Sequence, residues 1–240
     1  VIVSFYVGAA ILVITSALTI FKVKEYDPET YARYHGIDAR ANHEKVSWID
    51  LLKQAPKAFW TVALVQFFCW FAFQYMWTYS AGAIAENVWQ TTDASSSGYQ
   101  AAGNWYGVLA AVQSIAAVVC SYVLAKVPNQ YHKAGYFTSL ALGALGFFSI
   151  FFVTDQYVLV GSYILIGIAW AGILTYPLTI VTNALSGKHM GTYLGLFNGS
   201  ICIPQIIASL LSFGLYPLLG GQEANMFLAG GIALLLGACS

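Results

Sequence analysis

Apolar residues come in seven long runs, at about 1–21, 58–85, 101–125, 134–153, 157–185, 190–219 and 224–240, and none of the runs contains Asp, Glu, Lys, Arg or His. About 20 apolar residues rising 1.5 Å each are enough to cross a hydrocarbon core near 30 Å. A charge at the centre of such a helix costs roughly 2.5–3.5 kcal/mol or more. Seven charge-free runs therefore predict seven transmembrane helices. The connections after the second run are short, so consecutive helices are expected to be antiparallel neighbours in an all-α bundle.

Composition supports the same class. Apolar residues make up 59% of the 240-residue chain and charged residues only 8%, against about 25% charged in soluble domains. That is too few to cover a water-facing surface. Net charge is zero, and without a basic surface or a long run of like charges no nucleic-acid partner is expected. Cys69, Cys120, Cys202 and Cys239 all lie in apolar runs without C-x-x-C spacing, which predicts small buried hydrophobes and neither disulfides nor zinc.

The ten basic residues are distributed on one side only. Lys22, Lys24, Arg33, Arg40, Lys45, Lys53 and Lys57 separate runs one and two, Lys126 and Lys133 separate three and four, and Lys188 separates five and six. The alternate loops carry Glu86, Asp93, Asp155 and Glu223. The positive-inside rule then makes loop 22–57 cytoplasmic. The chain opens inside one apolar run and stops inside another, so it is expected to be an excerpt of a longer protein.

Loop 22–57 carries helix punctuation. Asp27-Pro28 reads as an N-cap with Pro at the first helical position, and Gly36 as a terminator. Ser47 is placed to cap a second short helix whose Trp48, Leu51 and Leu52 would rest on the inner leaflet. Gly191, Gly195 and Gly199 repeat at four-residue spacing, the pattern that lets membrane helices approach closely. Pro177 and Pro204 fall near the middle of their runs, where each removes a backbone hydrogen bond.

Much chemistry is excluded. The spans hold no acidic residue, histidine or lysine for an intramembrane protease, and His35, His43, His132 and His189 show no metal-ligand spacing. No phosphate-binding loop is present, so no enzyme activity, metal or cofactor is expected. The informative residues are uncharged polar and aromatic ones at membrane depth. At about 100° per residue, Gln66, Trp70, Gln74 and Trp77 fall within an arc of about 80° on run two. Two amides and two indoles on one face suit a neutral sugar, because amides both donate and accept while aromatic faces cover C–H surface. Helix packing is the alternative role. Tyr106 and Gln113 share a face of run three, Trp170 is central in run five, Tyr176 and Asn183 share another face there, and Asn198 and Gln205 share a face of run six. Trp48, Trp60, Trp89 and Trp105 fit the interfacial aromatic belt.

The stretches Gln66-Phe67-Phe68-Cys69-Trp70-Phe71-Ala72 with Met76-Trp77, Gly167-Ile168-Ala169-Trp170-Ala171, and Met190-Gly191-Thr192-Tyr193-Leu194-Gly195-Leu196-Phe197-Asn198 with Ile203-Pro204-Gln205-Ile206-Ile207-Ala208-Ser209 resemble the major facilitator superfamily. More narrowly, they resemble the glycoside-pentoside-hexuronide cation symporters, in the branch of sucrose and maltose proton symporters. The resemblance implies the sixth to twelfth of twelve helices: residues 1–21 as the sixth helix, 22–57 as the cytoplasmic linker with short interfacial helices, and 58–240 as the carboxyl-terminal six-helix bundle. It implies a plasma- or inner-membrane secondary transporter of a disaccharide or glucoside, working by alternating access with H⁺ as coupling cation. The amino-terminal half of the chain would then be missing, along with the coupling acid. The basic gating motif usual between the eighth and ninth helices is little retained in Lys126–Lys133. Two other readings stay open at this point, a seven-helix receptor and a non-transporting sensor.

Overall fold

A computed structural model describes residues 2–23, 26–35, 47–185 and 189–240. Lys24, Gly36, Arg40, His43, Lys45 and Lys188, which figure in the loop and charge readings above, lie outside them. The chain falls into two units, Val1–Val46 and Ser47–Ser240.

The first unit holds helix α1 (Ile2–Lys22) and helix α2 (Pro28–His35). The Thr30 amide donates to the Asp27 carboxylate at 3.2 Å, as the Asp-Pro punctuation predicts. These bonds from Thr30 hold the Asp27 carboxyl below its usual value.

The second unit contains α3 (Trp48–Gln54), α4 (Lys57–Val88), α5 (Ser97–Leu124), α6 (His132–Phe152), α7 (Leu159–Ala184), α8 (Met190–Phe197), α9 (Gly199–Leu218) and α10 (Glu223–Cys239). Among the described residues, five stretches are long and apolar enough to cross a membrane: Lys57–Val88, Ser97–Leu124, Asn129–Phe152, Leu159–Ala184 and Met190–Leu218. Tyr6–Lys22 and Glu223–Cys239 are shorter apolar helices. The sixth apolar run is thus two helices meeting at Asn198, whose backbone nevertheless stays helical at φ −59° and ψ −22°.

Around the core, α4 packs on α10, α10 on α6, α6 on α7, α7 on α5 and α5 back on α4, while α9 lies against α4 alongside α10. Inside this ring Phe73, Phe147, Tyr163, Ile166 and Phe227 are fully buried. Phe73 sits 5.7 Å from Phe147 and 4.9 Å from Trp170, centroid to centroid, within the range of favourable aromatic pairs. In lipid, helix association depends on close van der Waals packing and on small polar bridges. Both are present. Gly143 lies against Ala169, Gly146 against Ser162, Gly167 against Gln113 and Ala116, and Gly172 against Ser139. The Tyr163 hydroxyl donates to Ser80 at 3.0 Å, and Ser149 to Ser162 at 2.7 Å.

Two expectations need correction. Gly191 and Gly195 have no neighbour among the described residues within 4 Å of where a Cβ would stand; close approach falls at glycines of less regular spacing. Ser47 does occupy the N-cap of α3, but its hydroxyl makes no cap bond. Leu51 is 4% exposed and packs with Phe59, Val62, Val181, Tyr193 and Phe197, so it faces protein rather than lipid.

Candidate functional site

Helix α4 supplies one wall of a cleft whose other walls are α7 and the α8–α9 junction. Its volume is about 300 Å³, and it is lined by Gln66, Trp70, Ile173, Leu174, Pro177, Leu178, Leu194, Phe197, Asn198 and Ile201. No charged side chain is among them. Pro177 lies inside α7 and has no N–H, so the Ile173 carbonyl one turn earlier loses its helical donor.

Gln66 is 3% exposed. The Tyr136 hydroxyl on α6 donates to its Oε1 at 3.1 Å, and the Cys69 thiol lies 3.7 Å from that hydroxyl. Among the described residues the Gln66 amide nitrogen has no hydrogen-bond partner. The Trp70 indole N–H is buried and, among the described residues, has no hydrogen-bond partner, whereas buried donors are almost always satisfied by protein, water or ligand.

The structure brings some of the sequence-predicted residues together and separates others. Trp70, Trp77 and Trp170 form one aromatic cluster, with centroids 6.0 Å apart for Trp70–Trp77, 5.4 Å for Trp70–Trp170 and 5.7 Å for Trp77–Trp170. Asn198 lies in the cleft with Gln66 and Trp70. Gln74 donates across to Ser209 on α9 at 3.2 Å, and Gln205 donates to Ile201 of its own helix at 3.0 Å. Gln113 is buried on α5 with its backbone carbonyl against Gly167, and Tyr106 stands 6.2 Å from Tyr163. The Tyr176 hydroxyl, also without a partner among the described residues, rests against Gly135 of α6, and the Tyr176 and His132 ring centroids are 5.2 Å apart.

Sequence reasoning missed Tyr136, and it also missed a structural pair at the opposite end of α4. Hydropathy ended run two at residue 85, but α4 continues to Val88. Glu86 thereby reaches the start of α10, where its Oε2 accepts from the Glu223 and Ala224 amides at 2.9 and 3.4 Å. Gln222 supplies no side-chain cap of its own, so the cap comes from another helix. The Glu223 carboxylate in turn occupies the place where a Cβ on Gly82 would stand. In the neighbouring loop, Ser95 donates to Asp93 through its hydroxyl at 2.7 Å and its amide at 2.9 Å, which holds that carboxyl below its usual value.

Membrane-length apolar helices packed around a core, with an uncharged polar cleft between them, define an integral membrane protein of the polytopic helix-bundle class. The family model of the Major Facilitator Superfamily matches residues 2–209, and the chain belongs to that superfamily, whose members are membrane transporters rather than enzymes. A search of the curated proteins found no match. Membership implies a small-molecule substrate and a lipid bilayer as surroundings.

Proposed function

We propose that the chain is the carboxyl-terminal part of a secondary sugar transporter that moves a disaccharide or glucoside by alternating access, with H⁺ as the coupling cation. In this reading α1 is the sixth of twelve helices, α10 is also a span, residues 22–57 are the cytoplasmic linker of a plasma- or inner-membrane protein, and 58–240 form the second half. The observation that carries it is the uncharged cleft of Gln66, Trp70 and Asn198, with an amide and an indole on its α4 wall. A sugar hydroxyl both donates and accepts, and the indole cluster offers apolar faces to its C–H surface. A volume of about 300 Å³ is at the small end of ligand sites, as suits one half of a cavity shared between two. Gln74, Trp77, Tyr106, Gln113, Trp170, Tyr176 and Gln205 complete the proposed substrate-facing set, and the coupling acid would lie in the other half.

The test is uptake of labelled maltose and sucrose by proteoliposomes holding the full-length transporter. Saturable uptake, faster with an inward proton gradient, is expected. Saturable transport of an amino acid or organic anion with both sugars inert would overturn the substrate class.

A further inference from the structure

We propose that Tyr136 is a positioning residue which, without touching substrate, fixes the orientation of the Gln66 amide so that its NH₂ is turned to the cleft. The inference rests on the sugar-site reading and adds to it the residue that orients this amide.

A glutamine amide is two-faced, with a carbonyl that accepts and an NH₂ that donates, and a free side chain can present either. Gln66 is not free. Its carbonyl is taken by the Tyr136 hydroxyl, and that hydroxyl's oxygen has the Cys69 thiol within 3.7 Å. A consistent chain runs Cys69 S–H to Tyr136 O–H to Gln66 C=O, each group donating to the next. Tyr136 is itself held, being 6% exposed, with its ring 5.8 Å from that of Tyr176. With the carbonyl held by Tyr136, the NH₂ is the group left to donate into the cleft that Gln66 lines. It can donate to a hydroxyl, ring or glycosidic oxygen of a sugar.

The experiment is a double-mutant cycle on the full-length transporter, with Gln66→Leu, Tyr136→Phe and the double variant. Apparent affinity for labelled maltose and melting temperature in detergent are both measured. Gln66→Leu is expected to weaken maltose about 2- to 13-fold, the value of one hydrogen bond. Tyr136→Phe, which keeps the ring, is expected to weaken maltose by a smaller factor. In the Gln66→Leu background it should leave maltose affinity unchanged, because nothing is left to position. A merely structural Tyr136 would lower the melting temperature and act on affinity equally in both backgrounds; that result, or an unchanged affinity in Tyr136→Phe beside a weakened Gln66→Leu, overturns the positioning role alone. If well-folded Gln66→Leu binds maltose as the wild type does, the cleft reading falls and the positioning role with it.

Discussion

A methyl group added at Gly167 would stand 2.5 Å from the Gln113 carbonyl oxygen and 2.8 Å from the Ala116 Cβ, while at Gly195 it would meet nothing within 4 Å among the described residues. Carbon atoms prefer separations of about 3.5–4.0 Å. The Gln113 oxygen is backbone, so it cannot swing aside. Relief at Gly167 requires α5 and α7 to part by about 1 Å, a gap that forfeits a quarter to a half of each dispersion contact along the seam. Both Gly→Ala changes bring the same gain in helix propensity, about 0.5–1 kcal/mol. The difference between the two variants therefore isolates the collision, about 1–3 kcal/mol, or roughly 2–12 °C in melting temperature at this chain size. Thermal unfolding of Gly167→Ala and Gly195→Ala in the same detergent measures it. Gly195→Ala should melt at or above the wild type and Gly167→Ala clearly below it. Equal melting temperatures would refute the account of the α5–α7 seam.

Other outcomes follow from the same coordinates. Glu86→Ala should cost about 0.5–2 kcal/mol, the value of an N-cap, and hydrogen exchange should speed up at the Glu223 and Ala224 amides while α6 and α7 stay protected. Trp70→Phe keeps a ring but loses the N–H, so maltose affinity should fall about 2- to 13-fold, and Trp70→Ala should fall further; unchanged affinity in well-folded Trp70→Phe would remove that donor from the site. Cysteines replacing Asp93 and Asp155 should react with an impermeant thiol reagent added outside intact cells, whereas His132→Cys should not, and labelling at residue 132 would reverse the proposed orientation.

The five membrane-length helices were legible because hydrocarbon imposes a one-dimensional rule: a helix that crosses it must be apolar over most of its length. The Asp27 cap was legible because its partner, Thr30, lies three residues away. Tyr136 and Gln66 are seventy residues apart in sequence, and no periodicity connects two helices. The glycines show the same limit from the other side. Spacing marked Gly191, Gly195 and Gly199, but whether a glycine is needed depends on which helix stands opposite, and that is decided by the packing order of α4, α10, α6, α7 and α5. Glu86 was read as a loop residue because hydropathy ends a span where polarity begins, whereas α4 runs on to Val88 and the Glu86 carboxylate reaches the amides that open α10.

The contact between Gly82 and the Glu223 carboxylate has a genetic consequence. The space beside residue 82 is filled by the flexible end of a side chain 141 positions later, so the effect of a Cβ at 82 depends on where the residue 223 side chain can go. Gly82→Ala should cost more while residue 223 is Glu than once it is Ser. In a pairwise mutational scan the two positions would be coupled, the cost of a larger residue at 82 falling as 223 shortens.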